Sequence, residues 1–126
     1  MTWALPVTEL GLRDPEAFSD LIPLLERLDR GFGTRGAARL LGVEPGTVTN
    51  WKRRRHVISH EYARRLIDLH DVLMRAFRVY GPIVAQDWLL GSEPFLGGAR
   101  PIDVLALRGA APLIEVLDAV EAGAFA

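Results

Sequence analysis

The stretch from Ser59 to Tyr80 admits one kind of secondary structure. Its apolar residues Tyr62, Leu66, Leu69, Leu73, Phe77 and Tyr80 recur at steps of three and four, the period that gathers side chains on one face of an α-helix. A half-buried strand needs alternation instead, and the sequence holds no alternating apolar and polar run with the β-branched enrichment of strands. Ser59 suits the helix N-cap, and Gly81-Pro82 suits its end. Such a helix depends on burying its stripe against other helices. The chain is therefore predicted to be all-α.

Punctuation by Gly and Pro divides the remainder. Asp14-Pro15-Glu16 offers an N-cap, a first-turn proline and a first-turn acid, so a helix is expected to begin there. Pro23 should break or kink it, and a second helix should run through Leu24, Leu25 and Leu28 to Arg30. Gly31-Phe32-Gly33 stops that helix. A short one follows over residues 34–41, with Ala37, Ala38, Leu40 and Leu41 as its apolar positions. Gly42 ends it, and Pro45 opens another that carries Val48 and Trp51 inward. Beyond Pro82 a shorter helix should carry Ile83, Val84, Trp88 and Leu89, followed by a Gly-rich loop over residues 91–100. Pro101 and Pro112 read as first-turn prolines of two last helices, and the final one should stop near Gly123.

The net charge of -1 hides an uneven distribution. Residues 1–30 carry three basic and six acidic side chains, residues 31–80 ten and four, and residues 81–126 two and six. A basic block between acidic flanks suggests a polyanion surface in the middle and different partners outside it.

Residues 34–55, inside that block, have the logic of a helix-turn-helix. Ala38 is small enough for two helices to cross closely. Gly42 allows the sharp reversal, and Val48 and Trp51 fill the space between the helices. The helix from Pro45 would then enter the major groove by its N-terminal turn. Gly46, Thr49, Asn50 and Arg53 share its outward face, with Thr47 beside them. Asn50 suits an adenine edge and Arg53 a guanine, while the threonines suit methyl or hydroxyl contacts. Lys52, Arg54 and Arg55, with Arg35 and Arg39, are the expected phosphate contacts.

Gly31-Phe32-Gly33-Thr34-Arg35-Gly36 also matches the dinucleotide fingerprint G-x-G-x-x-G letter for letter. That fingerprint needs a preceding strand and an acid about twenty residues on. Here a charged amphipathic helix precedes it, and the later positions run from Trp51 to Arg55. Cofactor binding is not expected.

The last third has its own pattern. It reads Val84-Ala85-Gln86-Asp87-Trp88-Leu89, then Phe95-Leu96-Gly97-Gly98-Ala99-Arg100-Pro101-Ile102-Asp103-Val104-Leu105, and later Gly109, Leu113, Val116, Leu117, Val120 and Gly123-Ala124-Phe125-Ala126. This resembles the toxin-binding domain of the Xre/MbcA/ParS antitoxin family, in which a Trp-Leu helix, a Leu-Gly-Gly loop, a Pro-x-Asp-Leu-Leu turn and an amphipathic last helix follow in this order. An upstream helix-turn-helix also belongs to that family, so the resemblance covers residues 20–126. Ser92-Glu93 stands where many members have Pro-Asn. The resemblance implies a cognate RES-domain toxin that consumes NAD or transfers ADP-ribose from it. It further implies contacts to that toxin by Trp88, Leu89, Arg100, Pro101, Val116, Val120, Gly123, Phe125 and Ala126, with the tail at the toxin's active-site cleft. Plain core packing is the competing reading for Trp88, Leu105, Val116 and Leu117.

Chemistry by the chain itself is not expected. Cysteine is absent, which excludes disulfides, zinc–thiolate sites and a Cys nucleophile. His56 and His60 have the separation of a helical metal pair, but no carboxylate accompanies them at ligand spacing. Asp68 and Asp71 have Arg64, Arg65 and Arg75 within ion-pairing steps. No catalytic residue, metal or cofactor is proposed. The start lacks a signal-peptide pattern, and no apolar run is long enough to cross a bilayer, which fits a cytoplasmic location.

The expected organisation is an extension of unknown role over residues 1–20, a helix-turn-helix domain with its long following helix over 21–80, and a small helical toxin-binding domain over 81–126. The expected function is an antitoxin that neutralises its toxin and represses its own operon, binding double-stranded operator DNA as a homodimer. The alternative is a stand-alone helix-turn-helix transcription regulator whose C-terminal domain only oligomerises. A further variant keeps the antitoxin role without DNA binding.

Overall fold

Helix-breaking residues set the architecture. The structure, a computed structural model, describes residues 21–123. Among these it is all-helical, with α1 (Leu21–Leu41), α2 (Pro45–Lys52), α3 (His60–Tyr80), α4 (Pro82–Leu90), α5 (Pro101–Arg108) and α6 (Ala111–Glu121), plus one turn of 3₁₀-helix at Pro94–Leu96. The expected helix start at Asp14, the extension over 1–20 and the tail residues Phe125 and Ala126 lie outside the described residues.

The main-chain breaks follow the local chemistry. Within α1 the helical dihedrals fail at Gly33, with φ 76° and ψ 165°, so residues 34–41 start afresh as expected. Pro23 lies in the first described turn of α1, and the helix expected before it falls outside the described residues. At the end of α1, Val43 N–H donates to the Ala38 carbonyl at 3.0 Å and Gly42 N–H to Arg39 at 3.3 Å. This paired return is a Schellman motif, which puts its turning residue in the left-handed region, and Gly42 has φ 73°. Ser59 caps α3 with its hydroxyl accepting from Tyr62 N–H at 3.4 Å and its carbonyl accepting from Ala63 N–H at 2.8 Å.

The chain divides into two compact units between Leu66 and Ile67, within α3. The expected boundary lies at residue 81, at the end of the same helix, and α3 keeps one buried face over residues 63–76. Leu66, Leu69 and Leu73 of the expected stripe are buried. Ala63, Val72 and Ala76 are buried too, whereas Tyr62, Phe77 and Tyr80 are only half-buried. Small alanines let a helix approach its neighbours closely, and bulky rings at the stripe's ends stay partly in solvent.

In the first unit Leu25, Leu28, Ala38, Leu41, Val48 and Trp51 are buried. In the second, Leu89, Pro101, Leu105, Leu113, Val116 and Leu117 are buried. Burial of a Leu side chain stabilises by about 1.5–3 kcal/mol, so each unit has an apolar core of its own. No helix among the described residues is long and apolar enough to cross a membrane.

Candidate nucleic-acid interface

The short helix α2 is set by its ends. Pro45 occupies its first turn after an extended Glu44, and its missing N–H is no loss there. One face is committed to the interior: Val48 and Trp51 are buried, and Trp51 packs against Tyr62 with ring centroids 5.5 Å apart. Gly46 is exposed, and Thr47, Thr49 and Asn50 are half-buried. Thr49 leans back on its own helix, its hydroxyl 3.3 Å from the Pro45 carbonyl.

The C-terminus of α2 is unusual. Arg54 N–H donates to Trp51 and Arg55 N–H to Asn50, at 3.0 and 2.9 Å, a second Schellman motif. Its left-handed position is held by Arg54, with φ 58°, the only non-glycine residue at positive φ among those described. That conformation costs a β-carbon-bearing residue roughly 1–2 kcal/mol. Arg53, Arg54 and Arg55 therefore crowd the negative end of the helix dipole, where cations are favoured. All three are exposed, as are Arg35 and Arg39. None of these five is in an ion pair among the described residues.

Lys52, expected as a phosphate contact, has an acidic partner within the first unit. Its ammonium binds the Asp29 carboxylate at 2.5 Å, with Asp29 largely shielded and Lys52 half-buried. The other Asp29 oxygen accepts from the Thr34 hydroxyl at 2.6 Å. The Lys52 and Thr34 bonds hold the Asp29 carboxyl below its ordinary range, against the opposing effect of burial. Nothing in the local sequence announces this pairing, since Asp29 lies 23 residues from Lys52. Arg65, expected as an ion-pair former for Asp68 and Asp71, donates to the Leu41 carbonyl at 2.9 Å and pairs with Glu61 at 3.5 Å. It closes the carbonyl end of α1.

The residues expected to touch a toxin divide into two groups. Leu89, Pro101 and Val116 are buried in the core of the unit. Trp88 and Val120 are half-buried, and Arg100 and Gly123 exposed. Arg100 forms two hydrogen bonds to Asp103, at 2.8 and 3.0 Å, and this contact raises the guanidinium pKa and lowers that of the carboxyl. Ile83 and Val84 are exposed, Ile83 by 77%, while Ala85 and Leu89 are buried.

Glu93 is the residue that sequence reasoning undervalued. It is 4% exposed, and each carboxylate oxygen has its own donor: Trp88 Nε1 at 3.0 Å and Phe95 N–H at 2.9 Å. Its carbonyl accepts from Leu96 and Gly98 N–H, and its own N–H donates to Ala99. The Gly-rich loop is thus wound around one acid. Trp88 in turn packs on Tyr80, with centroids 5.9 Å apart, and burial, then the Glu93 charge, pushes the Tyr80 hydroxyl pKa up.

No family model, curated protein or solved structure matches this chain.

Proposed function

We propose that the chain is an antitoxin of the Xre/MbcA/ParS type. In this reading residues 34–55 act as a helix-turn-helix on double-stranded operator DNA. The C-terminal unit binds and neutralises a RES-domain toxin, and the chemistry on NAD belongs to that toxin. The observation that carries the DNA half is the exposed arginine set at the end of α2 and on α1, without ion-pair partners among the described residues, over a seam closed by Ala38, Val48 and Trp51. The toxin half rests on the sequence resemblance of residues 84–126. With Leu89, Pro101 and Val116 in the core, toxin contacts in the described unit fall to Trp88, Arg100, Val120 and Gly123.

Co-expression with the product of the adjacent reading frame tests the toxin half, by growth, cellular NAD and capture of the pair. Absence of capture together with undiminished toxicity refutes it. A gel shift on the upstream region at two salt concentrations tests the DNA half, because binding through phosphates weakens steeply with salt. No shift at low salt leaves an antitoxin without DNA binding.

One observation favours the second reading, a regulator whose C-terminal unit only oligomerises. Ile83, Val84 and Leu107 are exposed in that unit, Leu107 by 85%, and exposed apolar groups favour self-association. Under it the protein forms oligomers, represses its promoter and captures no neighbouring gene product.

A further inference from the structure

Asp29 joins three pieces of the first unit through one carboxylate. It lies before the Gly33 break in α1, and one oxygen reaches across that break to Thr34. The other holds Lys52, the last residue of α2. The second half of α1 and the whole of α2 are short, and an apolar seam of Ala38, Leu41, Val48 and Trp51 lies between them. A half-shielded ion pair at the far end of α2 adds a directional constraint that apolar packing lacks, and so has leverage on the angle at which the helix is presented.

We infer that Asp29 is a positioning residue for α2, its carboxylate holding the helix to α1 through Lys52 and Thr34, and that Lys52 serves this hold rather than a DNA phosphate. The inference rests on the DNA-binding reading above. It has a consequence that opposes simple electrostatics. Removing an acid from a DNA-binding unit strengthens binding on Coulombic grounds; removing Asp29 weakens it, because the recognition surface is no longer fixed.

The test measures affinity of the full chain for a labelled duplex from its own upstream region, and for a scrambled duplex, across a range of salt. Asp29→Ala and Lys52→Met each weaken binding to the upstream duplex, roughly tenfold if one base contact is lost. Because both act through the same contact, the double variant binds no more weakly than either single one. Lys52→Met leaves the slope of log affinity against log salt unchanged, whereas Arg55→Ala lowers it by about one. Asp29→Glu, which keeps the charge, recovers part of the loss. Should Asp29→Ala fail to fold by circular dichroism, Asp29→Asn replaces it, since an amide has only one acceptor oxygen for two donors. Tighter binding by the Asp29 variant, a lowered slope for Lys52→Met, or additive losses in the double variant overturns the inference alone. Failure of the wild-type chain to bind either duplex overturns the DNA reading, and the positioning role falls with it.

Discussion

The two units differ in how many of their arginines are paired. Residues 21–66 hold ten basic and four acidic side chains, and residues 67–126 four and eight. In the first unit Arg35, Arg39, Arg53, Arg54 and Arg55 stand without ion-pair partners among the described residues. In the second, Arg75 pairs with Asp71, Arg78 with Glu121 and Arg100 with Asp103. The sign of the charge changes where the structure divides, inside a single helix. An arginine already matched within its own unit has less to offer an anionic ligand, and an excess of unmatched ones is suited to a polyanion.

Each of four substitutions would break or sharpen that contrast. The largest effect belongs to Leu113→Ala, which empties a fully buried site of the second unit and should cost about 2–5 kcal/mol of unfolding free energy. In the folded fraction the salt slope of DNA binding should stay unchanged, and a shifted slope would mean that the acidic unit also contacts DNA. Glu93→Gln should cost about 1–3 kcal/mol, measured by urea denaturation. Its two oxygens accept from two separate donors, and the amide nitrogen faces one of them with a second donor.

Gly42→Ala comes next. The new methyl meets left-handed backbone and the Arg65 guanidinium 3.1 Å away, so a loss of about 1–2 kcal/mol is expected, accompanied by weaker DNA binding as α2 loses its set. Smallest is Arg54→Gly, which relieves the strained φ and should gain up to about 1 kcal/mol while lowering the salt slope by about one. Stability and binding moving in opposite directions would mark Arg54 as a residue kept for its charge. A loss of both would assign it to the fold.

Much of the helical plan was legible because its signals are local. Ser59, Gly42, Pro45, Gly81 and Pro101 mark helix ends through their own backbone preferences, and each is found at such an end. The buried face of residues 34–52 was also legible, for Ala38, Val48 and Trp51 have few alternatives on so short a pair of helices. Hydrophobicity alone does not give the buried face of α4, since Ile83 and Val84 are as apolar as Leu89 yet exposed.

By itself, the sequence determined where helices begin and end, that a basic segment sits between acidic ones, and which residues of α2 turn inward. These follow from dihedral preferences, capping chemistry and helical period, all properties of near neighbours. Only the tertiary structure decided that Lys52 belongs to Asp29, that Arg65 closes α1, and that Glu93 is enclosed by its own loop. It also decided that Leu89, Pro101 and Val116 are core. Those outcomes depend on which faces meet across many residues of chain, and a side chain's period says that it has a face without saying what covers it.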